Sequence, residues 1–599
     1  MNGVRIERRP VFAKAPEWSA GLHPVLRRVY AARGVRAALE VEHRLQRLAS
    51  PILGGLASAC ALLTEMIARD RRILVVGDFD CDGATATAVA LRGLRLLGAR
   101  HVDYRVPHRA LHGYGLSPAL VSTFSAPAPD LIVTVDNGIA SHAGVAAARA
   151  RGIRVLVTDH HLPGETLPDA DAIVNPSLPF GETRGDEHFR GDSHAPDAAV
   201  NSPAALKSLC GVGVVFYLLL ALRAHLSKPQ VDLAALLDLV ALGTVADLVP
   251  LDTNNRILVA AGLNRIRASR ACAGICALFE AAGRDPARAV AADLGFAIGP
   301  RINAAGRIED MSIGIECLLS DDPSRAAALA GQLSDINAER RSLQAAMIEQ
   351  AEAAVEKVSG QTASASVGVV LYHADWHPGI VGLVASRLKE RLNRPVVACA
   401  PVAAGSSELR GSARSIPGFH VRDALATVDA REPGLIGRFG GHAMAAGLSL
   451  LHADLERFAI AFDRVAQEQL GTQVLQSIVF TDGELHSGDF DLSLAQTLRY
   501  AGPWGQGFAE PLFDNVFDVE QWRLVGGKHW RLRLVPVLPA TDSCVALDGM
   551  LFNATAGAIP PPRMRAAYQL EIDQWNGRER LRLVLRHFEP VATDGEETS

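Results

Sequence analysis

The sequence has no paired cysteines, no long apolar run and no basic excess, and each absence excludes a class of protein. None of the eight cysteines forms a Cys-x-x-Cys pair, so neither a zinc knuckle nor a disulfide framework is expected and all are predicted to be reduced. The longest charge-free apolar run, Leu209–Leu222, has 14 residues, which is too short to span a bilayer and favours a buried helix. The N-terminus carries no apolar signal segment. We therefore expect a cytoplasmic protein without a membrane segment.

The net charge is −5, which argues against a generally basic coat for nucleic acid. A local groove can still be positive while the whole chain is not. Only six of the 60 basic residues are lysine, and composition bias is the simpler explanation for this preference for arginine. Whether an individual arginine binds nucleic acid therefore has to be judged from its position in the sequence.

With 599 residues the chain exceeds what one hydrophobic core usually supports, so roughly two to four domains are expected. The fold class is predicted to be α/β with an additional β domain. The predicted limits are a helical lead over 1–70, an α/β domain with a parallel sheet over 71–321, a connecting helix over 322–360, a smaller α/β domain over 361–470, an antiparallel β domain over 471–590 and a frayed tail over 591–599. A polar stretch over 180–202 without periodicity is predicted to be a surface loop.

Three apolar segments in the first α/β domain are predicted strands, and each is followed by polar residues. The strands are Ile73–Val76, Leu131–Val135 and Val155–Val157, and the runs after them contain Asp78 to Asp82, Asp136-Asn137-Gly138 and Asp159-His160-His161. Alternation of strands with helical stretches indicates a parallel sheet. Ligands of such sheets lie beyond the carboxyl ends of the strands, so these polar residues are predicted to share one site.

The first polar run places Asp78, Asp80 and Asp82 at alternate positions. If the strand continues through them they share a face, and their carboxylates repel each other unless a cation is present. A calcium-type loop or a plain turn are the alternatives, but no glutamate stands at the twelfth position that an EF-hand requires.

The other polar runs complete a candidate metal site. Asp136 is either a ligand or a helix cap, and Asp247 follows a predicted helix over Leu233–Ala246. His160 and His161 are expected to point to different sides, so that one contacts metal and the other contacts substrate. The predicted ligands are Asp80, Asp82, Asp136, His160 and Asp247, with Asp78 either touching metal or orienting its neighbours. Ligands that are mostly carboxylates favour Mn²⁺ or Mg²⁺ over zinc, and there are enough for two ions about 3.5–4 Å apart with Asp136 between them.

These motifs resemble the DHH phosphoesterase superfamily, which is named for the triplet that stands here as Asp159-His160-His161. Within it the sequence most resembles the RecJ family of single-strand-specific DNA exonucleases, over nearly the whole chain. Further segments that carry the resemblance are His112–Ser117, Gly243–Asp247, Gly299–Arg307, His377–Gly382, Gly411–Ser415 and Gly440–Gly447. The last belongs to the associated DHHA1 domain, and the C-terminal β domain resembles the family's OB-fold. Phe79 and Cys81 replace the usual Tyr and Ala, and neither needs to be a ligand.

The resemblance implies residues that bind DNA. The implied set is Arg109, Tyr114, Arg301, Asn303, Arg307, Ser412, Arg414, His442, Lys528 and Trp530. Structural ion pairs are the alternative for Arg301 and Arg307, and a polar turn is the alternative for Ser412 and Arg414. Tyr114 and Trp530 are either base-stacking residues or core residues.

The resemblance also implies an activity, namely two-metal-ion hydrolysis of single-stranded DNA from its 5′ end with release of 5′-mononucleotides. It implies work in DNA recombination and repair beside a helicase and single-strand-binding protein, and a monomeric state is expected. The alternatives are a phosphodiesterase on short RNA or cyclic dinucleotides, an inorganic pyrophosphatase, and a non-catalytic replication scaffold.

Overall fold

The computed structural model describes residues 4–11, 18, 21–108, 112–179, 203–359, 366–471, 477–538, 545–554, 557–575 and 578–592. Its contacts divide the chain into two compact units. The larger unit is formed by Ile6–Ser334 with Phe480–Ser599, and the smaller unit is formed mainly by Asp335–Val479. The predicted loop over 180–202 and the predicted tail from Thr593 lie outside the described residues. This division is based on contacts within the structure and does not test the predicted domain limits, which stay a prediction.

The larger unit contains the parallel sheet that the sequence predicts. Its five strands are β2 (Ile73–Val76), β3 (Val102–Arg105), β4 (Leu131–Val135), β5 (Arg154–Thr158) and β6 (Ala172–Val174), in the spatial order β3-β2-β4-β5-β6. All four strand pairings are parallel. The predicted α/β fold is therefore confirmed, and the carboxyl ends of β2, β4 and β5 meet at one edge.

Helices surround this sheet and supply the rest of its core. They are α1 (Pro24–Ala32), α2 (Leu56–Ala68), α3 (Cys81–Leu96), α4 (Pro118–Ser122), α5 (His142–Ala150), α6 (Gly211–His225), α7 (Leu237–Ala246), α8 (Thr253–Arg267), α9 (Ala273–Ala281), α10 (Ala291–Asp293), α11 (Gly299–Ile308) and α12 (Ser312–Leu319). A π-helix over Leu294–Ile298 joins α10 to α11. Helix α6 is buried as its apolar sequence predicts, and it packs with α7 against α3. No helix in the described ranges is both long and apolar enough to span a membrane.

The N-terminal region is only partly helical. Besides α1 and α2 it contains the strand β1 (Arg5–Arg8) and two short 3₁₀ turns. Strand β1 pairs with β12 (Ile478–Thr481), which lies more than 450 residues further along the chain. Local periodicity carries no information about such a distant partner, so the helical prediction is wrong for this strand.

The C-terminal part of the larger unit is a closed barrel preceded by α17 (Leu492–Tyr500). Its strands are β13 (Phe513–Val525), β14 (His529–Pro536), β15 (Leu547–Leu551), β16 (Arg563–Trp575) and β17 (Arg578–Pro590). They follow the order β13-β14-β15-β17-β16. The barrel is antiparallel as predicted, apart from the pair of β15 with β17, which is parallel.

The barrel and the N-terminal helix share one core. The Tyr30 hydroxyl donates to the Ala501 carbonyl at 2.8 Å, and the Arg33 guanidinium pairs with Asp482 at 2.8 Å. The Arg8 guanidinium contacts the buried carboxylate of Asp514 at 3.1 Å. The segments that contain Arg8, Tyr30 and Arg33 are therefore built into the same unit as the C-terminal barrel.

The smaller unit has a mixed sheet and its own core. Its strands are β7 (Val369–Tyr372), β8 (Val396–Pro401), β9 (Glu408–Arg414), β10 (Arg438–Gly441) and β11 (Ala445–Leu451), and its helices after the connector are α14 (Val381–Leu392), α15 (Val421–Arg431) and α16 (Leu455–Leu470). Strand β7 is parallel to β8, and the remaining pairings are antiparallel.

The connecting helix is α13 (Pro323–Ser359). It begins where the sequence predicts, because the Asp322 carboxylate accepts a hydrogen bond from the Ser324 amide at 3.0 Å. The boundary between the units falls within this helix. The predicted end of this helix, at residue 360, lies outside the described residues.

Candidate metal centre

The acidic run after β2 forms the start of α3. Asp80 is the N-cap residue, and its carboxylate accepts a hydrogen bond from the Gly83 amide at 3.0 Å. Asp82 therefore lies in the first helical turn, and the prediction that the three aspartates share the face of a strand is wrong in its geometry. Gly83 is required here, because a Cβ at this position would lie 2.7 Å from the Asp78 backbone.

Asp136 follows β4 in a strained backbone conformation. Its φ of 61° lies in the left-handed region, which L-residues occupy only where the surrounding structure imposes it. Its side chain is buried. Gly211 allows α6 to approach it, since a Cβ on Gly211 would lie 2.4 Å from the Asp136 Cβ.

The first turn of α6 holds Asp82. The Gly211 amide donates to Asp82 Oδ2 at 2.6 Å, and the Val212 amide donates to Oδ1 at 2.9 Å. Helix N-termini favour negative charge because their amides have no partner within the helix. Sequence reasoning missed both amides, because the run Leu209–Leu222 indicates only burial. The glycines at positions 211 and 213 were the available signal that another chain segment comes close.

His160 is at the centre of the cluster. Its Nε2 lies 3.2 Å from Asp136 Oδ1, 3.6 Å from Asp247 Oδ2 and 4.0 Å from Asp82 Oδ2. Asp247 directly follows α7, as predicted. His160 thus brings together carboxylates from three different parts of the chain.

Asp159 orients the two histidines. Its Oδ1 accepts from the His160 amide at 2.8 Å and from the His161 amide at 3.1 Å, and it lies 2.8 Å from His161 Nδ1. Its Oδ2 accepts from the Ile139 amide at 2.9 Å. Burial opposes its ionisation, but these hydrogen bonds, led by that of His161, lower the pKa of Asp159. The first residue of the triplet is therefore a support for the other two.

The two histidine rings face the same cluster. Their centroids lie 4.5 Å apart, and both rings offer a nitrogen to a group with Asp136. The two rings therefore do not point to opposite sides, because β5 ends at Thr158 and the histidines lie beyond the strand. The separate roles expected of the two histidines stay a prediction. Burial disfavours charge on His161, but the Asp159 carboxylate outweighs it and raises the pKa of His161.

The candidate ligands form three overlapping groups, in each of which the ligand atoms lie within 4.8 Å of one another. The groups are Asp78 with Asp80 and Asp136, Asp82 with His160 and Asp247, and Asp136 with His160 and His161. The structure therefore brings all the predicted ligands together. Asp136 and His160 each belong to two groups, which fits a site for two ions.

The electrostatics of the cluster fit bound cations. Burial, followed by the neighbouring Asp80, raises the pKa of Asp82 to about 7. Burial and the surrounding aspartates raise the pKa values of Asp136 and Asp247 well above their usual range. Asp136 Oδ1 and Asp247 Oδ2 are buried and no hydrogen-bond donor among the described residues satisfies them. A cation would relieve both the repulsion and the unsatisfied oxygens, and this carboxylate-rich set suits Mn²⁺ or Mg²⁺.

Tyr114 lies at the edge of the cluster. Its side chain is 51% exposed, so the alternative of a packed core residue is wrong. Its ring meets that of His161 edge-on at 6.1 Å, and its hydroxyl lies 3.4 Å from the Asp136 carbonyl oxygen. A stacking role for Tyr114 stays a prediction.

Helix α11 carries three further predicted residues. Arg301 donates to the Ser334 hydroxyl at 3.0 Å and to the Ala297 carbonyl at 2.6 Å. The Asn303 side chain accepts from the Cys81 amide at 2.8 Å, so it also supports the start of α3. Arg307 lies in the last turn of α11. DNA contacts of these residues stay a prediction, and Arg109 lies outside the described residues.

In the smaller unit, Ser412 and Arg414 lie in β9, so the alternative of a polar turn is wrong. The Arg414 guanidinium donates to the Ser412 hydroxyl at 2.8 Å and to the Ser386 hydroxyl at 3.1 Å. Burial lowers the pKa of Arg414, and no carboxylate in the described chain pairs with it. His442 lies in the β10–β11 connection, where its amide donates to the Ala445 carbonyl. Arg414 is therefore a half-buried cation suited to an anionic ligand.

The two residues of the C-terminal domain that are predicted to bind DNA, Lys528 and Trp530, lie in different environments. Lys528 is exposed in the turn before β14, whereas Trp530 points into the barrel and is 1% exposed. The Trp530 ring packs 5.6 Å from that of Phe588. Base stacking by Trp530 is therefore corrected to core packing, because the inward face of β14 is the one that holds Trp530, Leu532 and Leu534.

Comparisons with known proteins agree with this architecture. The DHH family N-terminal domain matches residues 72–244, the DHHA1 domain matches 363–468 and the RecJ OB domain matches 481–587. The single-stranded-DNA-specific exonuclease RecJ of Dickeya dadantii is 46% identical over 605 aligned positions, which cover 99% of this chain and 100% of that protein.

Solved structures agree as well. RecJ of Thermus thermophilus in complex with Mn²⁺ is similar with a TM-score of 0.75 and 31% identity, over 96% of this chain and 76% of that one. The complex of the Thermus protein with Mg²⁺ gives a TM-score of 0.70 and 30% identity, over 95% and 75% of the two chains. Near-complete coverage of a RecJ protein and the three matching domains together show that the chain belongs to the RecJ family.

Proposed function

We propose that the chain is a metal-dependent exonuclease that degrades single-stranded DNA in the 5′→3′ direction and releases 5′-mononucleotides. The observation that carries this proposal is the buried cluster in which Asp136 and His160 each belong to two groups of ligand atoms. The likeness of the chain to a single-stranded-DNA-specific exonuclease RecJ supports DNA as the substrate, and its likeness to a RecJ solved with Mn²⁺ supports the metal.

The cluster residues have separate roles in this proposal. Asp78, Asp80, Asp82, Asp136, His160 and Asp247 would hold two Mn²⁺ or Mg²⁺ ions, and Asp136, which belongs to two of the ligand groups, would contribute to both. When bound, such ions lower the pKa of water and neutralise charge on a phosphoryl group. The amides of Gly211 and Val212 fix Asp82, and Asp159 fixes His161. His161 is suited to donate a proton or a hydrogen bond to a phosphate oxygen, because Asp159 raises its pKa.

DNA contacts are proposed for residues outside the cluster. Arg301, Asn303 and Arg307 on α11, and Ser412, Arg414 and His442 in the smaller unit, would bind phosphates, since arginine matches the geometry of phosphate oxygens. Arg109 would join them by its resemblance to the family. Tyr114 would contact a base or sugar, and Lys528 would contact the strand at the barrel.

The setting of the activity is also a proposal. Work in DNA recombination and repair, beside a helicase and single-strand-binding protein, follows from the family resemblance. The seven cysteines in the described ranges are free, which supports a reducing compartment such as the cytoplasm.

The proposal is tested by offering end-labelled single-stranded DNA, duplex DNA, short RNA and pyrophosphate, each with Mn²⁺ or Mg²⁺. The wild type is expected to release nucleotides from the 5′ end of the single strand. Asp136→Ala is expected to abolish this release, and Asp136→Asn, which keeps the shape and tolerates the left-handed backbone, guards against a folding defect. An active Asp136→Asn protein, or a preference for pyrophosphate or short RNA, would refute the proposal.

A further inference from the structure

A large apolar side chain is exposed beside the metal centre. Leu248 directly follows Asp247, whose carboxylate lies 3.6 Å from His160 Nε2. The Leu248 side chain is 67% exposed. A single exposed leucine is ordinary on a protein surface, but the backbone at this residue is not.

That backbone is strained. Among the residues that the structure describes, seven non-glycine residues have positive φ, and six of them are Asp, Ser or Asn. Leu248 is the seventh, with a φ of 61°. The left-handed region is unfavourable for a bulky apolar residue, and such strain persists where the surrounding structure imposes it, commonly at functional sites. The strain here holds an apolar side chain in solvent next to a candidate metal ligand.

A second apolar side chain comes from the neighbouring segment. Phe296 is 85% exposed and is the most exposed large hydrophobic side chain in the described part of the chain. It lies in the π-helix over Leu294–Ile298, a rare form that is frequent at functional sites. A Cβ on Gly295 would lie 3.2 Å from the Val245 side chain, so this π-helix packs closely on the last turn of α7, which leads into Asp247.

The surroundings of Phe296 also connect it to a predicted phosphate contact. The next residue, Ala297, accepts a hydrogen bond from Arg301 at 2.6 Å through its carbonyl. Phe296 and Arg301 therefore lie in consecutive helical segments. The segment that contains Phe296 packs on the last turn of α7, which leads into the metal centre. Proteins that bind single-stranded nucleic acid combine aromatic faces for bases with cationic groups for phosphates.

We propose that Phe296 and Leu248 form a platform that contacts a nucleobase of the single-stranded substrate near the scissile phosphate. The platform would position the strand and favour single strands, because the faces of bases in a duplex are already stacked on each other. This inference rests on the proposed function and adds a specificity-determining contact to the same site. A nucleobase is the occupant that fits, since it is the one flat apolar part of a substrate whose phosphate must lie at the neighbouring metal centre.

The test compares two single strands of equal length, one with normal bases and one with abasic residues at its first 5′ positions. The enzymes are wild type, Phe296→Ala, Phe296→Trp and the control Ile460→Ser, which alters an exposed apolar residue of α16. On the normal strand Phe296→Ala is expected to raise KM by about fivefold or more, as loss of one base stack implies, with kcat within about twofold. Phe296→Trp and Ile460→Ser are expected to keep the wild-type KM. On the abasic strand all four enzymes are expected to have similar KM values.

Calorimetry with Mn²⁺ alone should give the same affinity for Phe296→Ala as for wild type, because Phe296 is not a ligand. An unchanged KM for Phe296→Ala on the normal strand, or an equal rise on the abasic strand, would overturn the platform and leave the exonuclease proposal standing. A change of oligomeric state in sedimentation with an unchanged KM would also overturn it, since the surface would then bind a second copy. A wild-type protein that degrades neither strand would refute both proposals.

Discussion

Binding of Mn²⁺ should weaken as the pH falls from about 8 to about 6, because the cluster must lose protons before it can hold a cation. The group that sets this range is Asp82, whose pKa is raised to about 7 by burial and by Asp80. A raised pKa means that the carboxyl group is protonated below that value and ionised above it. Metal affinity is therefore expected to fall with acidification over this interval.

The size of the effect follows from that pKa. A carboxyl group with a pKa near 7 is about nine-tenths protonated at pH ~6 and about one-tenth protonated at pH ~8. Asp82 alone therefore implies about a tenfold loss of affinity between these conditions, and the release of nearly one proton per binding event at the lower pH. The raised pKa values of Asp136 and Asp247 act in the same direction, so tenfold is a lower bound.

Calorimetric titration of the metal-free protein with Mn²⁺ measures both quantities, if it is repeated in two buffers that differ in ionisation enthalpy. The matched control is Asp238→Asn, because Asp238 is another buried aspartate whose pKa is raised by burial but belongs to none of the three ligand groups. This variant should keep the wild-type pH dependence. Equal affinities of the wild type at the two pH values, without proton release, would refute the account of the cluster as mutually repelling carboxylates.

Two further substitutions test separate parts of the site. Arg414→Ala should weaken binding and degradation of single-stranded DNA by roughly tenfold, as expected for one half-buried charge-assisted contact, while leaving Mn²⁺ affinity unchanged; loss of Mn²⁺ affinity would contradict a role in DNA binding alone. Gly211→Ala should lower Mn²⁺ affinity by about tenfold or more in calorimetry, because its Cβ would lie 2.4 Å from that of Asp136 and must displace it. Gly213→Ala is the control, since the nearest atom to its Cβ would be the end of the Leu209 side chain, at 3.0 Å, rather than a candidate ligand. Similar losses in both variants would contradict this explanation.

Much of the larger unit's sheet was predictable from local sequence. Apolar runs bounded by glycine and aspartate mark β2 and β4, and their observed ends agree with the prediction. The candidate ligands were predictable as well, because the carboxyl ends of parallel strands meet at one edge of the sheet. This rule uses only the order of strands and the chemistry of the residues after them.

The hydrogen bonds that hold the candidate ligands in place were not predictable in the same way. Asp159 stands beside two histidines and has the chemistry of a ligand, and only its hydrogen bonds to His161 and Ile139 identify it as a support. The amides of Gly211 and Val212 carry no side-chain signature, and the glycines at positions 211 and 213 indicate a close approach without identifying Asp82 as the partner. These contacts join segments more than 120 residues apart, and tertiary packing alone creates them.

The alternation of side chains along β14 did not indicate which face of this strand points into the barrel. Lys528, Trp530 and Arg533 fit a nucleic-acid surface by composition, yet Trp530 lies inside the barrel while Arg533 lies outside and pairs with Glu520 at 3.2 Å. A one-residue difference in register exchanges the two faces of a strand. The apolar partners Leu532 and Leu534, rather than the aromatic ring, were the better guide to the inward face.

The larger unit is discontinuous in sequence, and this affects how the chain can mature on the ribosome. Strand β1 and helix α1 emerge first, but Asp482, Ala501 and Asp514, which contact Arg33, Tyr30 and Arg8, are among the last parts to be synthesised. The residues of the smaller unit are made in between, with their own core. The N-terminal segment must therefore wait for these partners until most of the chain has been translated.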